Sequence, residues 1–438
     1  MHGRRLLWVG AAVLLLCART ASAQFTTLVK YNEGPGFKLA DNLVIHPGVG
    51  FATAYDTNVF YGAPDTAPVG AAYVAALFHF DLATLPPQRL EGQQPATQAV
   101  DFRLRFAGAY RNYISSISNI TAQNNVDLDG GLTANFNPGG KVTFGISDDY
   151  VRSVQPQNLE GPGSYIHDYN RAGAKLGINP GGGMLTFGLG YSFLIDHYEN
   201  GWSFANLNPD LTAHEFSLAV RWKFLPKTVL SLTASEGIYS RDLVLNNQRH
   251  PDSYPLRVEL GLAGQLTYRL QATVKVGYGN SFYQNLPTAV SNYSNVIGGA
   301  QLKWLIDTTA ALSVGYDRSF YDSIFGDFYT DDHFFGRYDH MLFGRLVLNA
   351  LAGYRYRQYS GLDPEVWSIS SRNDNLFEVH AGADFRIREW LFAGVAYDLV
   401  ADSTSARPIF VSGGAAAPLA YNPNYTKQII SAHLEVAY

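Results

Sequence analysis

The chain has 438 residues, rich in Tyr (28), Phe (26) and Gly (42), with only 16% charged residues and a net charge of −5. This balance lacks the basic surface that nucleic acid requires, and a single cysteine excludes both a disulfide framework and a cysteine metal site. After residue 23 no apolar stretch reaches the roughly 18 residues of a membrane-spanning helix, so any crossing of a membrane must be made by strands.

The first residues read as a signal peptide, 1–23. Arg4 and Arg5 make a basic start, Leu6 to Leu16 is a short apolar run, and Ala21-Ser22-Ala23 is a small-residue cleavage site. Cleavage before Gln24 takes the chain from 438 to 415 residues and, with Arg4, Arg5 and Arg19 removed, the charge from −5 to −8. The only cysteine, Cys17, leaves with the signal, and Leu14-Leu15-Leu16 before it lacks the small residues of a lipoprotein site. The organisation predicted is a signal at 1–23, a periplasmic N-terminal segment at 24–41 and an outer-membrane β-barrel at 42–438.

From there the chain repeats one pattern. Leu185 to Phe193 has large apolar residues at every odd position and small or polar ones between, and Phe216 to Phe224, Leu256 to Leu266, Leu270 to Tyr278 and Phe102 to Phe106 follow the same period of two. Strands are predicted over 42–55, 69–82, 100–114, 124–137, 140–151, 165–179, 184–197, 212–225 and 228–240. The series continues over 254–266, 268–282, 292–305, 308–321, 328–343, 345–359, 374–387, 389–400 and 425–438. The fold class is therefore all-β: a transmembrane antiparallel β-barrel of about 18 strands, within 16–20.

Connections alternate as well. Tight turns such as Asn137-Pro138-Gly139-Gly140, Asn179-Pro180-Gly181 and Ile387-Arg388 alternate with longer polar loops such as Gln155 to Ser164, Glu199 to Pro209 and Ser360 to Arg372. Short turns belong on the periplasmic side, which places both termini there. Two connections stand out. Ala83 to Ala99, with Pro86-Pro87, is long for a periplasmic turn and is either a folded-back loop or a contact for a periplasmic partner. Ala401 to Asn424 is the longest outward loop and a candidate for narrowing the lumen. Pro47 predicts a bulge, or pairing that begins near Val49, because proline gives no N–H to the ladder.

Large apolar residues assigned to lipid include Leu104, Phe106, Leu218, Val220, Leu260, Leu262, Val274, Val276, Leu346, Leu348, Val379 and Leu434. Their neighbours must then line the lumen: Arg103, Arg105, Arg111, Asp127, Asp129, Arg221, Lys223, Arg257, Glu259, Lys275, Arg345, Arg355, Arg357, Glu378 and Arg386. Lysine or arginine on the lipid face costs about 2–4 kcal/mol at the midplane, and the pattern avoids it. Asp148, Asp168 and Arg318 are the exceptions, expected near the outer ends of strands.

Arg111 is expected to face Asp127 and Asp129, and Arg355 and Arg357 to lie near Glu378, as ladders that hold the wall. Alternatively Arg103, Arg105, Arg345, Arg355 and Arg357 form a basic lane for an anionic solute or polymer. Tyr191, Tyr278, Tyr316, Tyr354, Tyr356 and Trp222 suit an interfacial girdle, whereas Tyr165 and Tyr169 are candidates to turn inward.

No motif carries chemistry. His214-Glu215 lacks the second histidine of a zinc-protease helix, and Gly190-Tyr191-Ser192-Phe193 lacks the closing glycine of a nucleophile elbow. Asp127-Leu128-Asp129-Gly130 lacks the spacing and closing glutamate of a calcium loop. His167, His333 and His340 are available to a site built by distant strands, but no spacing names their partners. Asp322 to Asp332 reads as a solvated acidic and aromatic loop. No catalytic residue, cofactor or metal site is predicted.

Tyr55-Asp56-Thr57-Asn58-Val59-Phe60 resembles the Tyr-Asp-x-Asn-Val-Phe signature of the beta-barrel porin-2 family, and the approach from Gly36-Phe37-Lys38-Leu39 through Leu43 to Gly50 is similar too. The resemblance implies an outer-membrane barrel over nearly the whole mature chain. It also implies, for some members, an exit pore for exopolysaccharide working with a periplasmic export protein. The chain ends on Tyr438 where phenylalanine is usual, but Leu434, Val436 and Tyr438 keep the form of a barrel assembly signal. The expectation is thus a non-enzymatic outer-membrane pore, for polysaccharide export or, alternatively, for diffusion of small solutes. Its other expected partners are outer-membrane lipid, lipopolysaccharide and the barrel assembly machinery, with no nucleic acid.

Overall fold

Residues that alternate between lipid and water cannot satisfy their backbone groups alone, so each strand must pair on both edges and the sheet must close. The computed structural model describes residues 32–85, 99–153, 160, 166–181, 183–199, 209–245, 248–284, 292–362, 367–410, 419–420 and 422–438. They form one closed antiparallel barrel of eighteen strands. The first nine are β1 Leu43–Asp56, β2 Ala71–Thr84, β3 Val100–Ile114, β4 Asn125–Phe136, β5 Val142–Ser153, β6 Ile166–Ile178, β7 Leu185–Glu199, β8 Leu211–Leu225 and β9 Thr228–Arg241. The others are β10 Leu256–Gln265, β11 Leu270–Asn280, β12 Ser294–Leu305, β13 Ala310–Asp322, β14 Phe328–Leu342, β15 Leu346–Ser360, β16 Arg372–Arg388, β17 Leu391–Thr404 and β18 Tyr425–Ala437. Every strand predicted from the sequence is present. The seam joins β1 to β18, from Gly48 opposite Ala437 to Asp56 opposite Ile429.

Tight turns gather at one end of the barrel and long loops at the other, as the alternation of connections requires. Leu342 to Arg345 shows how sharp those turns are. Phe343 and Gly344 have φ of 53° and 64°, and the Arg345 N–H donates to the Leu342 carbonyl at 3.0 Å. Both central residues are left-handed, the conformation that matches the strand twist in a two-residue hairpin. Residues 1–23, which were expected to be a signal peptide, residues 24–31 and most of the Ala83 to Ala99 connection lie outside the described residues.

Pro47 makes no bulge. Pairing with β2 runs straight through it, Pro47 opposite Phe80, while its edge toward β18 has already reached the end of that strand. Only one bond is absent there, and the Tyr438 N–H still donates to the Pro47 carbonyl at 2.8 Å.

The two faces separate as the alternation demands. Val274 and Val276 stand outward and half exposed, whereas Lys275 between them turns inward to Glu259 at 3.5 Å and Asp317 at 2.8 Å. Asp148, Asp168 and Arg318 face outward, and Asp168 and Arg318 lie toward the loop end. Asp148 does not: it is the seventh of the twelve residues of β5, where Asn170 donates to it at 3.0 Å. A partner amide on the same face satisfies the carboxylate there, a compensation that hydropathy does not reveal.

Candidate pore and its constriction

Cross-strand register puts the predicted lining residues on the inward side, apart from Arg345, which lies in the turn before β15. In the half nearer the loops they form a network of ion pairs. Arg111 reaches Asp127 at 2.6 Å with both side chains almost fully buried, while Asp129 pairs instead with Arg105 at 3.6 Å. Arg355 bridges Asp331 at 2.6 Å and Glu378 at 3.1 Å, and Arg357 lies 3.4 Å from Asp331. At the opposite, tight-turn end Arg103 is held by Asp81 and by Glu33. Of the five arginines in the predicted basic lane, only Arg345 has no ion pair among the described residues.

Above this network the lumen is crossed by a layer that alternation did not announce. Tyr198 of β7, Leu243, Ile324, Phe325, Tyr329, Tyr359, Leu362 and Trp367 form one buried cluster, so groups from strands far apart around the wall meet inside. The Glu160 carboxylate accepts from Ser323 Oγ at 2.7 Å and from the Ile324 N–H at 2.9 Å, and Arg372 Nη2 donates to the Glu160 carbonyl at 2.8 Å. Arg372 also lies over the rings of Phe325 and Tyr359 and pairs with Asp374 at 2.5 Å. Glu160 belongs to the β5–β6 connection, Ser323 to the β13–β14 connection and Arg372 to β16, so the contact ties distant parts of the rim together. Burial pushes the Glu160 carboxyl above the usual glutamate range, against the lowering effect of its hydrogen bonds.

This corrects the reading of 322–332 as a solvated loop. Ser323, Ile324, Phe325, Asp327, Phe328, Tyr329, Thr330 and Asp331 are buried, because the connection is short and folds beneath Trp367 and Glu160. The described part of Ala401 to Asn424 includes a small hairpin, Ile409–Phe410 with Leu419–Ala420, tied to Ser368 by the Ile409 N–H at 3.0 Å, while 411–418 and 421, on which the expected narrowing of the lumen falls, lie outside the described residues.

The residues that carry the family resemblance build a second inward fold. Tyr55 points out, but the Asp56 carboxylate accepts from the Asn58 N–H at 2.9 Å and pairs with Lys427 at 2.8 Å. Asn58 exchanges bonds with Gly62 and donates to the Thr426 carbonyl at 3.1 Å, while Lys427 donates to the Asn58 carbonyl and stands 4.2 Å above the Tyr61 ring. Val59 packs with Tyr73, Ala109, Tyr113 and Ile429 on the inner wall. The short motif thus turns the first loop into the barrel and fastens the β1–β18 seam.

At the tight-turn end both chain ends converge. Asn32 donates twice to Glu435, which also meets His79 at 3.1 Å; Phe37–Ala40 adds a short strand to the edge of β1, and the Phe37 ring stacks on Tyr438 at 4.0 Å. Leu434 and Val436 face outward and Glu435 inward, so the last strand keeps the alternation to its end.

His167 lies buried against Asp196 at 2.8 Å, stacked on Tyr198. Tyr169 shares its inward side, and Tyr165 lies outside the described residues. Asp127 and Asp129 belong to β4 and are engaged by arginines. Among the described residues no group of three His, Asp or Glu is arranged to hold a metal. A shallow groove between Leu132, Ile146, Ala172, Ala174, Tyr191 and Phe193 lies on the outward face, apart from the lumen.

No protein-family model and no curated protein sequence matches the chain. Similar solved structures include OpdK of Pseudomonas aeruginosa with vanillate, at 12% identity and a TM-score of 0.47, over 90% of this chain and 99% of that one. OccAB4 of Acinetobacter baumannii (10%, TM-score 0.47, 93% and 100%) and a BenF-like porin from Pseudomonas fluorescens (10%, TM-score 0.47, 90% and 99%) are others. Likeness at this level carries no residue's role across. Resemblance to the porin-2 family rests on Tyr55 to Phe60 and on the approach to it from Gly36 to Gly50.

Proposed function

We propose that this chain is an outer-membrane diffusion pore for small solutes, with the tight turns and both termini in the periplasm and the loops outside. The observation that carries it is the division of the eighteen-strand wall into an apolar outer face and a charged inner one, since a barrel of this size encloses water rather than a filled core. Export of a polymer is less well supported. The buried layer at Trp367 and the inward fold at Asn58 occupy the loop end, and the residues that suggested export have a local task at the seam.

Transport by this pore is passive, with the strands fixing the diameter and the lining charges setting preference. Leu434, Val436 and Tyr438 serve as the signal for barrel assembly, and the apolar face meets lipid and lipopolysaccharide. Addition of the purified, folded protein to a planar bilayer is the test. Stepwise conductance without any partner supports the diffusion pore; conductance that appears only with a periplasmic partner supports the export channel.

A further inference from the structure

Lumen charges differ between the two ends of the barrel. Toward the loops most cations are paired, as described, and Arg241 and Arg257 are held by the Pro209 and Phe320 carbonyls at 2.7 and 2.8 Å. Toward the tight turns, Lys175 of β6, Arg221 and Lys223 of β8 and Lys303 of β12 have no ion pair among the described residues, and Lys175 and Lys223 are exposed.

Most acids at the same end are already engaged, the exposed Glu389 of the β16–β17 turn excepted. Asp339 is held by Arg337 at 2.7 Å, Asp384 by His433 at 3.2 Å, Asp81 by Arg103, and Glu435 by His79 and Asn32. Asp101 accepts from Thr84 at 3.0 Å, and Asp307 caps its own turn through Thr309 and Ala310.

The free cations on β6 and β8 also line up. Lys175 is level with Gly190 of β7 and Arg221 with Thr186, while Arg171, paired with Glu215, is level with Leu194. At about 3.3 Å per residue these levels stand about 13 Å apart along the wall. The inward positions of β7 between them are Thr186, Gly188, Gly190 and Ser192, small side chains that leave the cations standing over open lumen. At Gly190 the Ser217 hydroxyl takes the place of a side chain, 2.4 Å from where a Cβ would stand, and the Lys175 stem passes 3.8 Å from the same point.

We propose that this wall is an anion path: solutes bearing carboxylate or phosphate groups enter at the tight-turn mouth and pass from Lys223 and Arg221 to Lys175, ending below the paired Arg171. The path rests on the pore reading above and gives that pore its solute class. A confined wall of one sign concentrates the opposite ion near it. Because the Debye length is about 8 Å at physiological salt, each cation acts over less than the gap to the next, and the preference should fade as salt rises.

The experiment is the reversal potential of the reconstituted full chain across a KCl gradient. The wild type should favour chloride over potassium, more strongly at low salt than at high. Lys175→Glu with Arg221→Glu and Lys223→Glu should reverse the preference, whereas exchange of the paired Arg337 and Asp339 should leave it unchanged. If the triple variant does not fold, Lys223→Gln, an exposed single change, should still lower the chloride preference. A wild-type channel that favours potassium, or variants that conduct like wild type, would overturn the path while leaving the pore in place. Absence of any conductance would sink the pore reading itself.

Discussion

The two halves of the lumen are built from the same strands and the same kinds of charged residue, yet they behave as different materials. Toward the loops, Arg111, Arg357, Arg372 and Lys427 are buried, each with a carboxylate beside it, beneath layers of tyrosine and tryptophan. Toward the tight turns, Lys175 and Lys223 stand exposed with no ion pair among the described residues. A charge in the first half is part of the packing; in the second it is free to act on what passes.

One chemical change made in both halves separates them most sharply. Lys427→Met leaves Asp56 buried without its cation and should cost about 4 kcal/mol, whereas Lys223→Met should stay within about 0.5 kcal/mol. Urea unfolding in detergent or lipid measures both, and the double change Asp56→Asn with Lys427→Met should recover most of the first loss. Equal costs at the two lysines would erase the contrast.

Trp367→Ala comes next. Removing a side chain with no exposed surface should cost about 3 kcal/mol and loosen the layer over the lumen, seen as a larger single-channel conductance. Unchanged conductance would mean that the layer does not limit flow.

Glu160 offers a gentler probe of the same layer. Its carboxyl is raised by burial, so the folded protein holds the proton more tightly than the unfolded chain does. Its contribution to stability is therefore complete below the ordinary glutamate pKa and is lost as pH rises through the raised value. The Ile324 amide, which donates to this carboxylate, should be better protected from hydrogen exchange at acid than at neutral pH, after correction for intrinsic rates. Glu160→Gln should remove that dependence; a dependence that survives would place the titration elsewhere.

The smallest effect lies outside both halves. Phe343→Asn replaces a bulky residue held at positive φ in a tight turn and should add about 0.5 kcal/mol of stability without altering conductance.

This contrast also marks what the sequence reveals and what it hides. Strands and faces are legible because period two is local: Leu185 to Phe193 states its own two sides. Arg111 with Asp127 was legible for the same reason, since adjacent strands set the register. Glu160 was not, because its partners Ser323 and Arg372 lie 163 and 212 positions away and no periodicity links them. Asn58 carried a visible signal, a recognisable motif, whose meaning was structural: it fastens the first loop to the last strand.

Liposome swelling tests the central claim most directly, because it reports passage of uncharged solutes whatever the lumen charges prefer. Vesicles carrying the folded protein should swell in small sugars at rates that fall steadily with solute size, without any partner or energy source. Vesicles that swell no faster than protein-free controls would contradict the account.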